Sequence, residues 1–180
     1  MRIDDETPAD ERSVREVVGN AFGADGPRVV GLLDALQSSS AARPGLSLVA
    51  RDSGRVVGHV LLTRSWVDAP ARLVEVLVLS PLSVAPSAQG RGVGTALVRA
   101  ALARADEQRW PLVFLEGSPT YYGSRGFAAA APLGFESPSV RIPSAGFQVA
   151  TLSAHDPSDV GRLVYADPFW EQDCVGLRPS

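Results

Sequence analysis

The chain has 180 residues, 45% of them hydrophobic, which suffices for one well-packed core and is too little for two of ordinary size; residues 1–180 are read as a single domain. A formal charge of −3 argues against general affinity for nucleic acid or an anionic membrane, and all 17 basic residues are arginine. One cysteine, Cys174, excludes an intrachain disulfide, and no cluster of Cys and His offers metal ligands.

The charged start Met1–Glu6 lacks the form of a secretory signal, and no apolar stretch approaches the roughly 20 residues of a spanning helix. A soluble, cytoplasmic protein in a reducing compartment is expected. After a short first strand, Thr7 to Asp10 opens a helix with Val14, Val17, Val18 and Phe22 on one side, ended by Gly23. A second helix runs from about Pro27 to Leu36 with Val29, Leu32, Leu33 and Leu36 inward, before Ser38 to Ser40 loosens the chain. Strands follow at Leu46 to Arg51 and Arg55 to Val67, joined by a three-residue connection, Asp52 Ser53 Gly54.

An apolar strand from Val74 to Leu79 pauses at Ser80 and Pro81, resumes as Leu82, Ser83 and Val84, and stops at Pro86. A helix then places Val93, Leu97, Ala100, Ala101 and Ala105 at spacings of three and four, as far as about Gln108. Beyond it lie a strand from Pro111, a short helix around Tyr121, a Pro- and Gly-rich stretch from Pro132 to Pro143, and strands at Phe147 to Leu152 and Arg162 to Tyr165. There is no internal repeat.

The most informative residues join the central strand to the central helix: Gln89, Gly90, Arg91, Gly92, Val93 and Gly94. Glycines at alternate positions let backbone approach a ligand closely, and a helix N-terminus offers unpaired N–H groups to phosphate oxygens. A nucleotide-triphosphatase loop needs a lysine, which the chain lacks, and the spacing G x G x G is not the dinucleotide fingerprint G x G x x G. The pattern Q/R x x G x G/A is met by Gln89, Gly92 and Gly94. Downstream, Tyr122 Gly123 Ser124 Arg125 Gly126 Phe127 reads Y x x x G F after the strand Leu112 to Leu115. With Gly58 His59 Val60 Leu61 Leu62, the Tyr121 Tyr122 pair and a late Phe169, the chain resembles the GNAT superfamily of acyl-CoA-dependent N-acetyltransferases, in its branch of small bacterial members, over residues 1 to 170.

The resemblance implies an α/β (α+β) fold in which a mixed, mostly antiparallel central sheet is flanked by helices and a splayed central strand pair holds acyl-CoA. The first two helices would form a flap over the acceptor. Acetyl-CoA would be the acyl donor and a primary amine the acceptor, with no metal. The segment Gln89, Gly90, Arg91, Gly92, Val93, Gly94 and Thr95 would hold the pyrophosphate, and Leu82, Ser83 and Val84 would pair with the pantetheine arm, Val84 N–H serving as oxyanion donor. Tyr122 stands where the family places the tyrosine that protonates the departing thiolate, a role a phenol with an ordinary pKa near 10 can fill; the structural alternative is a packed Tyr122 beside a solvent-facing Tyr121. Many relatives carry an Asn before this tyrosine, where this chain has Glu116 Gly117 Ser118 Pro119, so no role of that Asn carries over.

For the general base, Glu116 is the first candidate and Glu75 the second, each also fitting a solvated surface carboxylate. His59 reads as a core histidine hydrogen-bonded through one ring nitrogen, and Cys174 as an inert thiol. Asp25 and Asp34 could attract a cationic amine or simply face solvent. Phe169 and Trp170 either contribute to a homodimer, common in the family, or cover the core. Two other functions stay open: a non-catalytic acyl-CoA-binding module, and a transferase of longer acyl groups.

Overall fold

The computed structural model describes residues 1–176. Its strands are β1 (Arg2–Asp5), β2 (Ser47–Asp52), β3 (Arg55–Asp68), β4 (Leu73–Val84), β5 (Leu112–Glu116), β6 (Ala128–Ala129), β7 (Phe147–Thr151) and β8 (Arg162–Val164). Its helices are α1 (Glu11–Ala21), α2 (Gly26–Ser38), α3 (Val93–Glu107), α4 (Pro119–Gly123) and α5 (Asp167–Glu171). The strands form a mixed sheet in the order β1-β2-β3-β4-β5-β7-β6, with β8 on β3; β4 and β5 run parallel, and the other registered pairs are antiparallel. The chain divides into two compact units, residues 1–63 with 79–104, and residues 64–78 with 105 onward.

In the first unit, β1 lies on β2 through Ile3↔Ala50 and β2 on β3 through Val49↔His59. The connection between β2 and β3 is two residues rather than three, because Asp52 pairs with Arg55 and only Ser53 (φ 49°) and Gly54 (φ 80°) turn the chain. Two consecutive positive φ values match the right-handed twist of the strands they join. Asp10 accepts from both N–H and Oγ1 of Thr7, at 2.9 and 2.8 Å, which fixes the entry to α1. Val14, Val17 and Val18 of α1 are buried as expected; Phe22 is not. It occupies the helix C-cap with φ −101° and ψ 2°, off the helical stripe, and is exposed.

Helix α2 buries Leu32, Leu33 and Leu36 and leaves Val29 half-buried. It outlasts the expected end at Leu36, continuing to Ser38, whose Oγ donates back to Asp34 O at 2.6 Å. Helix α3 lies close on β3: a Cβ on Gly58 would stand 2.9 Å from both Leu97 Cδ1 and Val93 Cγ1. Burying each large apolar side chain of such a contact contributes about 1.5–3 kcal/mol. The ion pairs here rest on arginine, with Arg51 reaching Asp10 at 2.7 Å and Asp4 at 3.3 Å, and Arg104 reaching Asp5 at 2.7 Å.

In the second unit, β4 meets β5 through Leu77↔Val113 and Val78↔Phe114, and β5 meets β7 from Leu112↔Thr151 to Glu116↔Phe147. The core is aromatic: Phe114 stacks on Phe147 at 5.6 Å and meets Phe135 edge-on at 5.1 Å. Two elements escaped the sequence reading, the two-residue strand β6 and helix α5. The chain leaves β8 at Val164 rather than Tyr165, and Ala166 N–H donates to Ser65 Oγ at 3.2 Å as α5 begins. Within α5, Phe169 is in the core, while Trp170 remains 44% exposed. Among the described residues, no helix is long and apolar enough to cross a membrane.

Candidate functional site

The first unit carries the glycine turn. Strand β4 ends at Val84, a 3-10 turn covers Pro86–Ala88, and Gln89 turns back so that its Nε2 donates to Val84 O at 3.1 Å. Gly90 (φ 72°) and Gly92 (φ 81°) take the left-handed conformation that L side chains resist, yet no atom lies within 4 Å of a Cβ built on either. Glycine is therefore required here by backbone conformation, and the space above the turn is open. A 15-residue helix, α3, begins at Val93, with Ala96 N–H bonded to Gly92 O at 3.0 Å. The amides of its first turn precede the intrahelical ladder, and the helix dipole makes this end positive, so the turn suits an anionic group.

Arg91, expected near a phosphate, is exposed and has its guanidinium 3.2 Å from Asp52 of β2. Leu82 and Val84 are half-buried. Ser83 is buried, and its Oγ has no hydrogen-bond partner among the described residues. Elsewhere in this unit, His59 is fully buried and holds Ser47 Oγ at 2.9 Å and Glu6 Oε2 at 3.2 Å with Nε2. This is the core histidine bonded through one ring nitrogen. Asp25 pairs with Arg28 at 3.1 Å, and Asp34 pairs with Arg15, so each carboxylate already faces a cation.

The second unit carries the tyrosine and the acid at the end of β5. Ser118 caps α4 by accepting from Tyr121 N–H, and Pro119 takes its first position, where a missing N–H costs nothing. This short helix delivers Tyr122 onto the backbone after β5: a Cβ on Gly117 would lie 2.4 Å from Tyr122 Cε2. Phe127 and Tyr121 meet the Tyr122 ring edge-on at 5.7 and 4.9 Å. Its hydroxyl has no hydrogen-bond partner among the described residues. Burial, reinforced by Tyr121 and partly offset by Arg125, pushes this phenol up to about 12, so it is protonated and available as a donor at neutral pH. Tyr121 is half-buried beneath the Arg125 guanidinium at 3.7 Å, not a solvent-facing ring.

Glu116 is not a solvated surface carboxylate. Its Oε1 accepts from Tyr165 O–H at 2.8 Å and its Oε2 from Gly176 N–H at 3.0 Å. Burial raises its pKa against the opposing pull of these two bonds and of Arg141. Glu75 is the surface carboxylate, exposed and 2.7 Å from Arg64. Cys174 is half-buried with Sγ at 3.4 Å from Gln172 O. Tyr165 and Gly176 were missed in the sequence; they lie 49 and 60 residues from Glu116, and no local pattern links them.

Comparison with known proteins matches residues 19–135 to the model of the Acetyltransferase (GNAT) family. An uncharacterized N-acetyltransferase of Escherichia coli, YjhQ, is 34% identical over 164 residues, 89% of each chain. Among solved structures, the GNAT family N-acetyltransferase YhbS from Escherichia coli, in complex with CoA, superposes with a TM-score of 0.82 at 25% identity, over 93% of this chain and 91% of that one. A GNAT family acetyltransferase from Brucella melitensis, in complex with acetyl-CoA, gives 0.74 at 27% identity over 93% and 97%. The family match spans the glycine turn and the Tyr122 segment alike, and with it the chain belongs to the GNAT family as an acyl-CoA-dependent N-acetyltransferase.

Proposed function

We propose that the protein transfers the acetyl group of acetyl-CoA to a primary amine. The reading rests chiefly on the glycine turn ahead of α3, whose positive-φ glycines and helix start suit a pyrophosphate. The Brucella melitensis relative solved with acetyl-CoA supports the choice of donor. In the first unit, the amides of residues 90–95 hold the pyrophosphate, the backbone of Leu82 to Val84 pairs with the pantetheine arm, and Val84 N–H stabilises the oxyanion.

In the second unit, Tyr122 is the general acid and Glu116 the general base. The acceptor ammonium gives one proton to Glu116, and the neutral amine attacks the thioester carbonyl. As the C–S bond breaks, Tyr122 protonates the departing thiolate and regains a proton from the nitrogen of the collapsing intermediate. The amide nitrogen keeps one hydrogen, and the proton on Glu116 passes to solvent, so the balance closes. An unpartnered, protonated phenol supports the acid role, since a hydroxyl already committed to a protein acceptor would have to break that bond first.

The test is calorimetric titration with acetyl-CoA, using NADH and ATP as controls, followed by CoA release over a panel of primary amines. Saturable binding of acetyl-CoA alone is expected. Absence of binding would remove the turn from consideration and the enzymatic reading with it.

A further inference from the structure

The carboxylate of Glu116 is gripped by two groups that the chain brings from far downstream. Tyr165 follows β8 directly; it is buried, and its ring stacks on Phe169 at 4.6 Å, so the hydroxyl bonded to Oε1 is held from behind by α5. Gly176 takes φ 63°, and a Cβ there would lie 2.6 Å from both C and O of Arg141. Only a residue without a side chain fits between Arg141 and Glu116, and its N–H points at Oε2. Arg141 is in turn 3.4 Å from Asp173, so the segment is fastened on both sides.

An ionised carboxylate offers about four lone-pair positions, and these two donors take one on each oxygen. The remaining positions can receive the N–H groups of a single ammonium. Resting on the assignment of Glu116 as proton acceptor, we propose that Tyr165 and the backbone of Gly176 are positioning groups that aim the Glu116 carboxylate at the acceptor amine, making the segment from Tyr165 to Gly176 part of the acceptor site. The charged and titratable groups facing Glu116 are Tyr165 and Arg141, the latter paired with Asp173. Tyr165 is itself pushed well above the ordinary phenol value by burial and by the Glu116 charge, so it remains a donor throughout the working range.

Both donors favour the charged carboxylate, so removing either raises its proton affinity. In Tyr165→Phe, the acid limb of kcat/KM is expected to move to higher pH while the plateau above it is retained. Gly176→Ala, whose Cβ would meet the Arg141 backbone and displace the N–H from Oε2, should move the limb in the same direction. Glu116→Gln is the control on which the idea rests, with acetyl-CoA affinity and melting temperature measured for every variant. Full activity in Glu116→Gln would overturn the assignment of the base. An inactive Glu116→Gln together with unmoved limbs in both other variants would leave the base in place and overturn the positioning role.

Discussion

Gly117 lies directly beneath the ring of Tyr122, so close that a single added methyl group would stand 2.4 Å from Cε2. The backbone after β5 is thus a seat for the tyrosine, and its occupant can rest there only while the seat has no side chain. Gly117→Ala is expected to displace the ring, at about 1–3 kcal/mol of stability for overpacking. Turnover should fall as far as in Tyr122→Phe, with acetyl-CoA affinity preserved. Steady-state kinetics beside calorimetry checks this, and an unchanged turnover would separate Tyr122 from the chemistry.

Tyr122→Phe removes the proton donor and leaves the ring. A loss of about 100-fold or more in kcat is expected, with little change in acetyl-CoA affinity. The wild-type pH profile makes an independent statement. The acid acts only while protonated, and burial pushes the phenol up to about 12, so no alkaline loss of rate from this group should occur below about pH 10.

Gly92→Val places a branched side chain at φ 81° in the open space over the turn. Strain of about 1–2 kcal/mol should lower the melting temperature by roughly 2–8 °C. Acetyl-CoA affinity should fall at least about tenfold, because the side chain occupies the ground where the pyrophosphate would lie. Binding indistinguishable from wild type would contradict the proposed phosphate seat.

Acid stability should depend on Asp10. Burial pushes its carboxyl up, but Arg51 and Thr7 outweigh that and hold it below the ordinary value of 3.8. A lowered folded pKa gives stability that is present above the unfolded value and is lost as pH falls through the folded one. Asp10→Asn should therefore cost about 3 kcal/mol at pH 7, where Arg51 is left to Asp4 alone, and progressively less as the pH falls below the ordinary value of 3.8. Urea midpoints of both proteins across that range test the sign.

The segments easiest to read from sequence were those whose determinants are local. The apolar spacing of α3 and the glycines ahead of it named the turn, because period and backbone freedom act within a few residues. Strand β4 runs through Pro81 without ending, although proline reads as a breaker wherever a ladder N–H is needed. Phe22 fit the periodicity of α1 and failed because the helix closes one residue earlier. Glu116 fared differently: the strand end was legible, but whether the carboxylate met water or protein depended on Tyr165 and Gly176, whose approach is fixed by tertiary packing alone.

Arginine supplies every cation in the ion pairs of Arg51, Arg72, Arg104 and Arg141, and no lysine occurs in the sequence. A guanidinium stays protonated and delocalised at neutral pH, so it is a poor nucleophile toward a thioester. For a protein that handles an activated acetyl group, this composition means that no side chain of its own offers a primary amine. The surface can hold its salt bridges in the presence of the donor without any of them being erased by self-acetylation, a form of chemical self-immunity written into the choice of one basic residue over the other.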